Sequence, residues 1–303
     1  MKKRMLPTAS TLFEQLPRSL RRHRLMIAWM RLTGKAPLQL VRIRDNHFGY
    51  ADMSDGFLRL IVIDQGFEKD FFELADRIMA QGGTFLDVGA NHGLLSFGLA
   101  GRYDGQISFH LFEPNPKLVD SIKKTQALYP AMRLTLNAAA VSDREGTVSF
   151  QIDEAQTGAS HICSEGAGLE VSSLSLDCYV EKNGIHRVEL VKIDIEGYEL
   201  LALQGARRAL EQRIFQAIYF EYFEKWQRRV CAPSILLDYL DAARYEVCFC
   251  RQGDIQSRGG ATQTFAKGLA GHGVPLLPIV GQSIPAATDL LAVPKENLVR
   301  INR

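Results

Sequence analysis

The 303 residues predict an α/β fold, a doubly wound, mostly parallel sheet of seven strands, and three observations predict it. Short apolar runs of strand length alternate with stretches of helical period from Phe67 to Pro294. The first run of the sheet, Phe85-Leu86-Asp87-Val88, passes directly into a glycine-rich turn and then into a helix. Acids recur where successive runs end: Asp87, Glu113, Asp194 and Glu221. Open sheets of this kind bind ligands beyond the carboxyl ends of their strands, so these acids mark one rim.

Taken in order, residues 1–36 read as a basic arm. Residues 1–44 carry eleven basic side chains against one acid, Glu14, while the whole chain is only +2. The remainder is therefore acidic. Arg18–Leu32 has helical character with a narrow apolar face, which suits an anionic membrane surface, a protein partner or packing against the body. Residues 37–82 form a lead-in, with runs at Leu40–Ile43 and Leu58–Ile63 suggesting a small antiparallel β element. Phe67–Met79 follows as an amphipathic helix.

From residue 83 to 303 one domain is expected, with strands Thr84–Val88, Ile107–Phe112, Leu134–Val141, Leu190–Ile195, Ala217–Glu221, Glu246–Cys250 and Leu290–Val293. Helices fill Leu94–Ala100, Pro116–Leu128, Glu199–Leu210 and Pro233–Ala243. A hairpin strand, Thr147–Ile152, and a polar loop, Asp153–Glu170, interrupt the third crossover. Residues 251–288 read as a long loop or insertion.

Composition narrows the class. Hydrophobic residues at 46% and charged residues at 23% fit a globular protein, and no window reaches the roughly 18 apolar residues of a membrane span. The cysteines, Cys163, Cys178, Cys231, Cys248 and Cys250, form no C-x-x-C pair and are odd in number, as expected in a reducing, cytoplasmic compartment. Any contact with the inner membrane surface would run through the arm.

The turn Gly89-Ala90-Asn91-His92-Gly93 brings backbone close to a ligand, which glycine permits. The G-x-G-x-x-G spacing of dinucleotide folds is absent. An acid at Asp87 is wrong for pyrophosphate and right for an ammonium group, which points to S-adenosylmethionine. His92 reads as a helix-start residue whose ring faces solvent. Glu113, in Phe112-Glu113-Pro114-Asn115-Pro116, lies where an acid bridges two ribose hydroxyls. Small residues before Val141, Ser142 and Asp143 suit an adenine ring, with hydrogen bonds from that backbone or from the Ser142 or Asp143 side chain.

The fourth strand ends Lys192-Ile193-Asp194-Ile195-Glu196. Strand period two places Lys192, Asp194 and Glu196 on one face, where three ionisable groups need partners. Lys192 reads as an ion-pair partner, and Asp194 and Glu196 lie where transfer would occur. Glu221 joins the rim from the fifth strand, and Gly158, Ser160 and His161 reach it from the hairpin side.

These motifs together resemble the FkbM family of S-adenosylmethionine-dependent methyltransferases. The resemblance rests on Phe85–Gly93, Phe112–Pro116, the block Lys192-Ile193-Asp194-Ile195-Glu196-Gly197-Tyr198-Glu199, Gly205-Ala206 and the run Asp289–Pro294, and spans roughly residues 45–294. It implies the class I methyltransferase fold, Rossmann-like with an antiparallel last strand. It also implies cofactor residues at Asp87, Gly89, Asn91, Gly93 and Glu113, and O-methylation of a sugar, glycan or polyketide hydroxyl, mostly in bacteria.

An alcohol is a poor nucleophile near neutral pH, so O-methylation needs a base or a metal. The available bases are Asp194, Glu196, Glu221, His161 and His92, with Glu196 or His161 expected to take the proton and Asp194 to orient the reactants. Such carboxylates can also hold Mg²⁺, for which no ligand is assigned. The alternatives are ribose 2′-O methylation of RNA, which the basic arm would favour, and a non-catalytic scaffold that retains the cofactor. DNA is not an expected partner, since no Asn/Asp-Pro-Pro-aromatic motif ends the fourth strand.

Overall fold

A computed structural model describes residues 32, 38–45, 47–55, 67–103, 105–250, 262–266 and 275–302. The arm, Leu32 apart, and the expected run Leu58–Ile63 lie outside the described residues. Among the described residues no helix is long and apolar enough to cross a membrane.

The described elements include an antiparallel hairpin, β1 (Leu38–Arg44) and β2 (His47–Asp52), followed by α1 (Lys69–Ile78). The sheet then opens with β3 (Gly83–Val88), α2 (Leu94–Tyr103), β4 (Ile107–Phe112), α3 (Pro116–Gln126) and β5 (Arg133–Asn137). A side sheet follows, made of β6 (Ala140–Val141), β7 (Gly146–Gln151), β8 (His161–Ile162) and β9 (Leu169–Leu174). The chain returns through α4 (Leu176–Lys182), β10 (Leu190–Ile193), α5 (Glu199–Gln204), α6 (Arg207–Glu211), β11 (Ile218–Phe223), α7 (Glu224–Gln227), α8 (Pro233–Ala242) and β12 (Tyr245–Phe249). The last strands are β13 (Thr262–Ala266), β14 (Pro275–Pro278), β15 (Ala287–Pro294) and β16 (Leu298–Asn302).

The main sheet runs β16-β13-β14-β12-β15-β11-β10-β3-β4-β5. Strands β5, β4, β3, β10 and β11 are parallel, and β15 lies antiparallel between β11 and β12. This is the doubly wound sheet with an antiparallel last strand that the sequence motifs imply, extended at one edge by β14, β13 and β16. Alternation along the strands feeds two layers. Val191, Ile193, Ile218 and Phe220 pack with Leu200, Leu203 and Leu236 on one face. Phe85, Leu111 and Leu190 pack with Phe71, Phe97 and Ile122 on the other.

Four expectations are corrected. The run Leu134–Val141 is two strands: β5 ends at Asn137, whose amide donates to Leu111 O at 3.0 Å and Tyr179 Oη at 3.2 Å, and β6 joins the side sheet. The fourth strand stops at Ile193, because Glu196 turns to a left-handed φ of 59°. The helix Glu199–Leu210 breaks at Gly205, where an added Cβ would lie 2.1 Å from Ser142 O, and the Asp177 carboxylate caps the second piece through Arg208 N and Ala209 N. The segment 251–288 contains β13 and β14 instead of being loop throughout.

The hairpin docks on α3 through a polar stripe. Ser121, Thr125 and Tyr129 recur at intervals of four, so they share one face. Tyr50 N donates to Thr125 Oγ1 at 2.9 Å, Ser121 Oγ donates to Tyr50 O at 3.0 Å, and the Tyr129 hydroxyl meets both Phe48 N and Phe48 O at 2.7 Å. Among the described residues, these side chains satisfy the outer edge of β2.

Candidate active site

A cavity of about 360 Å³ opens beyond the carboxyl ends of β3, β4, β10 and β11, inside the roughly 300–1,000 Å³ range of small-molecule sites. Gly89, Ala90, Asn91, His92 and Glu113 line one part of it, and Asp194, Glu196 and Glu221 another. Between them lies an apolar wall that includes Phe112, Ala139, Ala140, Val141 and Phe150.

The turn is held by its own N–H groups. Gly89 N and Ala90 N both donate to Phe112 O, at 3.1 and 3.0 Å, Gly93 N donates to Ala90 O, and Asn91 N donates to Glu113 Oε2 at 2.8 Å. The expected presentation of these N–H groups to a ligand is therefore corrected: they are committed inside the protein. The left-handed residues Gly89, Asn91 and Gly93 (φ 76°, 53° and 70°) instead let the turn press against β10. A Cβ on Gly89 would lie 2.0 Å from Asp194 O.

Glu113 ties the turn to the start of α3. Its second oxygen accepts Asn115 N at 2.9 Å, and each oxygen keeps a lone pair for a ligand hydroxyl. Burial pushes its carboxyl up to about 7, against the pull of the two N–H donors. Asn115 caps α3 through Lys117 N at 3.0 Å and sits behind Glu113, outside the cavity lining.

Asp87 also lies one layer below the lining. Its Oδ2 accepts Ser96 Oγ at 2.6 Å, and Lys192 Nζ stands 3.6 Å from Oδ1 and 3.3 Å from Asp194 Oδ2. Burial pushes the Asp87 carboxyl up, and Lys192 and Ser96 pull it back. Burial alone would lower the Lys192 ammonium, but Asp194 and Asp87 outweigh it and raise it. Lys192 Nζ also donates to Gly89 O at 2.9 Å, so one cation joins the first turn to the fourth strand. Asp87 does not line the cavity. Its place is beneath the turn.

Of the residues expected around adenine, Val141 lines the cavity and Ser142 and Asp143 do not. Ser142 N donates to Leu174 O at 3.0 Å and Ser142 Oγ to Asp143 Oδ1 at 3.0 Å, which turns them toward the side sheet. Gly158 and Ser160 reach the cavity, but His161 does not: its Nδ1 meets Ala159 O at 2.9 Å and its ring stacks on Tyr198. His161 is accordingly removed from the candidate bases.

His92 is buried, at 2% exposure, and not solvent-facing as expected. Ser121 Oγ gives its hydrogen to Tyr50 O, so it accepts from His92 Nδ1 at 2.7 Å, while His92 Nε2 accepts Asp52 N at 3.3 Å. Both ring nitrogens are used by the neutral form, and burial lowers the pKa to about 4. A neutral, fully engaged imidazole is a structural link and not a base.

The turn after β10 carries the acids. Glu199 Oε1 accepts Ile195 N at 3.0 Å and Gly197 N at 3.2 Å, Gln227 Nε2 donates to Glu199 Oε2 at 2.5 Å, and Arg229 Nη1 donates to Glu196 O at 2.7 Å. These bonds hold Glu196 in its left-handed conformation, a form that costs a non-glycine residue about 1–3 kcal/mol and concentrates at functional sites. One carboxylate oxygen each from Asp194, Glu196 and Glu221 lies within 4.8 Å of the others. Burial first, then the charges of Asp194 and Glu221, pushes the Glu196 carboxyl up to about 10; burial and Asp194 also raise Glu221.

Sequence reasoning missed four residues of the cavity lining, Asp55, Thr157, Phe223 and Trp226. Asp55 Oδ2 accepts both Thr157 N at 2.7 Å and Thr157 Oγ1 at 2.8 Å, joining the segment after β2 to the loop between β7 and β8 in the cavity lining. Phe223 and Trp226, with ring centroids 4.5 Å apart, line the acidic end. Their three-residue spacing after an apolar strand is the signal that was available.

A model of the FkbM methyltransferase domain matches residues 87–247. The chain is 26% identical over 144 residues to the hexuronic acid methyltransferase AglP of Haloferax volcanii, a match that covers 48% of this chain and 58% of that protein. The chain thus spans little more than half the length of this curated relative. Among solved structures it is similar to the precorrin-6y C5,15-methyltransferase of Geobacter metallireducens (14% identity, 75% of this chain and 88% of that one, TM-score 0.37). It is also similar to M. jannaschii TYW2 in complex with AdoMet (11% identity, 89% of this chain and 88% of that one, TM-score 0.37). With more than half of its residues inside the match, this chain belongs to the FkbM methyltransferase domain family.

Proposed function

We infer that this chain is an S-adenosylmethionine-dependent O-methyltransferase whose acceptor is a hydroxyl of a sugar or glycan. The observation that carries the reading is the union, in one cavity, of Glu113 on the left-handed turn and the three-carboxylate rim of Asp194, Glu196 and Glu221. The residues fit the cofactor: the apolar wall suits a purine, the Glu113 oxygens suit a ribose diol, and an acid-lined cavity suits a cation. When bound, S-adenosylmethionine supplies an electrophilic methyl group on a sulfonium. Glu113 binds, the wall at Ala139, Ala140 and Val141 excludes water, and the rim carboxylates accept hydrogen bonds from acceptor hydroxyls.

The Trp226 and Phe223 rings favour a sugar, because a pyranose presents C–H faces to an aromatic plane while its hydroxyls meet carboxylates. The hexuronic acid named for the similar archaeal protein supports the same class. Proton removal falls to a rim carboxylate: burial and the neighbouring acids raise the proton affinity of Glu196 and Glu221, and the charge of a bound sulfonium favours the ionised form that acts as base. Holding the two reactants in one water-poor cavity supplies the rest of the acceleration.

The test is incubation with isotopically methyl-labelled cofactor and parallel panels of neutral sugars, hexuronates and RNA, read by mass spectrometry. Label on a sugar oxygen is the expected result. Label on RNA ribose and no sugar would overturn the acceptor, and cofactor binding without transfer to any panel would leave a scaffold.

A further inference from the structure

We propose that Asp194, Glu196 and Glu221 form a divalent-cation site in the wall of the cavity. The proposal rests on the methyltransferase reading above and deepens it by naming an ion that the reaction would use. The donor oxygens come from two separate segments, Asp194 and Glu196 on the turn after β10 and Glu221 within β11, yet lie within 4.8 Å of one another. Oxygens on opposite sides of a bound ion are separated by twice the bond length, about 4–5 Å for Mg²⁺ or Ca²⁺. A carboxylate set of this hardness and spacing suits such ions and not thiolate-seeking metals.

A second observation points to a ligand. Glu196 is 6% exposed, lines the cavity, and carries Oε2 buried with no hydrogen-bond partner. A buried acceptor left unmet is costly, and a cation would meet it. The mount is also rigid, since the four bonds from Glu199, Gln227 and Arg229 fix the backbone that carries Glu196. Lys192 does not fill the role. Its ammonium is divided among Gly89 O, Asp87 and Asp194, and among the described residues neither Glu196 nor Glu221 is in an ion pair.

A cation held there coordinates the acceptor oxygen and makes it more acidic. The hydroxyl proton passes to a rim carboxylate oxygen that the ion does not engage, the new C–O bond forms as the S–CH₃ bond breaks, and that bonding pair stays on sulfur as the sulfonium becomes a neutral thioether. No oxidant or reductant enters.

The test is titration of Mn²⁺ into the cofactor-loaded protein, read by electron paramagnetic resonance and water-proton relaxation, with parent, Glu196→Gln and Glu221→Gln. The expected result is one Mn²⁺ per chain in the parent, bound at least about tenfold more weakly in each variant, while both variants still take up the cofactor. Two variants keep the test valid if one fails to fold. No bound Mn²⁺ at millimolar ion, or equal binding in parent and variants, overturns the site. Full transfer by chelator-stripped enzyme also overturns it and leaves the methyltransferase reading intact; Mn²⁺ binding at these residues without transfer to any sugar supports the site and sinks that reading instead.

Discussion

Lys192 and Asp87 face each other in register on adjacent parallel strands, 3.6 Å apart and both almost wholly buried. Asp87 lies beneath the cavity while Lys192 is part of its lining, and Lys192 reaches on to Asp194 and to the Gly89 carbonyl. A buried ion pair contributes little over an apolar replacement, but removing one partner strands the other charge. Lys192→Met should therefore cost about 3–5 kcal/mol in denaturant unfolding. The double variant Lys192→Met/Asp87→Leu should lose less than the two single changes together. Strict additivity would show that the two groups do not depend on each other.

His92 predicts a pH effect of definite sign. Its folded pKa, about 4, lies below the ordinary imidazole value of 6.5, so the unfolded chain binds a proton that the folded chain refuses. The stability tied to the neutral ring is complete above about 6.5 and is lost as pH falls toward 4, by up to roughly 3 kcal/mol. Comparing the parent with His92→Gln across that window removes the contribution of the carboxylates. Parallel stability profiles for the two proteins would disprove the assignment.

Gly89 and Gly105 share a φ of 76° but differ in surroundings: an added Cβ meets Asp194 O at 2.0 Å in one and nothing within 4 Å in the other. Gly105→Ala should cost only the backbone term, about 1–2 kcal/mol. Gly89→Ala should cost clearly more, because the turn must lift off β10. Thermal melts of the two variants separate clash from conformation, and equal shifts would mean that the turn yields freely.

Glu199 positions the rim without lining it. Glu199→Ala frees Ile195 N and Gly197 N, and kcat should fall about a hundredfold, the scale of a small misplacement of reacting groups, with cofactor affinity little changed. Glu199→Gln, whose carbonyl oxygen still accepts both N–H groups, should restore most of the rate. Equal loss in both variants would assign Glu199 a role in charge and not in geometry.

Much of this was legible in the residues because it is local. The strand, turn and helix from Phe85 to Leu99 need only a glycine pattern and a change of period, and Glu113 and Glu221 follow from where apolar runs end. What escaped depends on contacts between distant segments. Apolar alternation carries on to Ile195, so nothing in it announces that Glu199 folds back to stop the strand at Ile193. The stripe Ser121, Thr125 and Tyr129 looks like ordinary helix polarity until β2 lies beside it. Residues 251–288 are too rich in glycine and polar groups to read as strands, yet β13 and β14 are recruited by the open edge at β12. The depth of Asp87, buried beneath the turn, leaves no mark in sequence.

The account depends on one cavity that binds the cofactor at Glu113 and does chemistry at Glu196. Calorimetric titration of S-adenosylmethionine into parent, Glu113→Gln and Glu196→Gln proteins, each confirmed folded, tests this most directly. The parent should bind one cofactor per chain, Glu113→Gln at least about tenfold more weakly, as expected for losing a charged hydrogen-bond acceptor, and Glu196→Gln with parental affinity but no turnover. A folded parent that takes up no S-adenosylmethionine, or a Glu113→Gln variant that binds it as the parent does, would contradict the account.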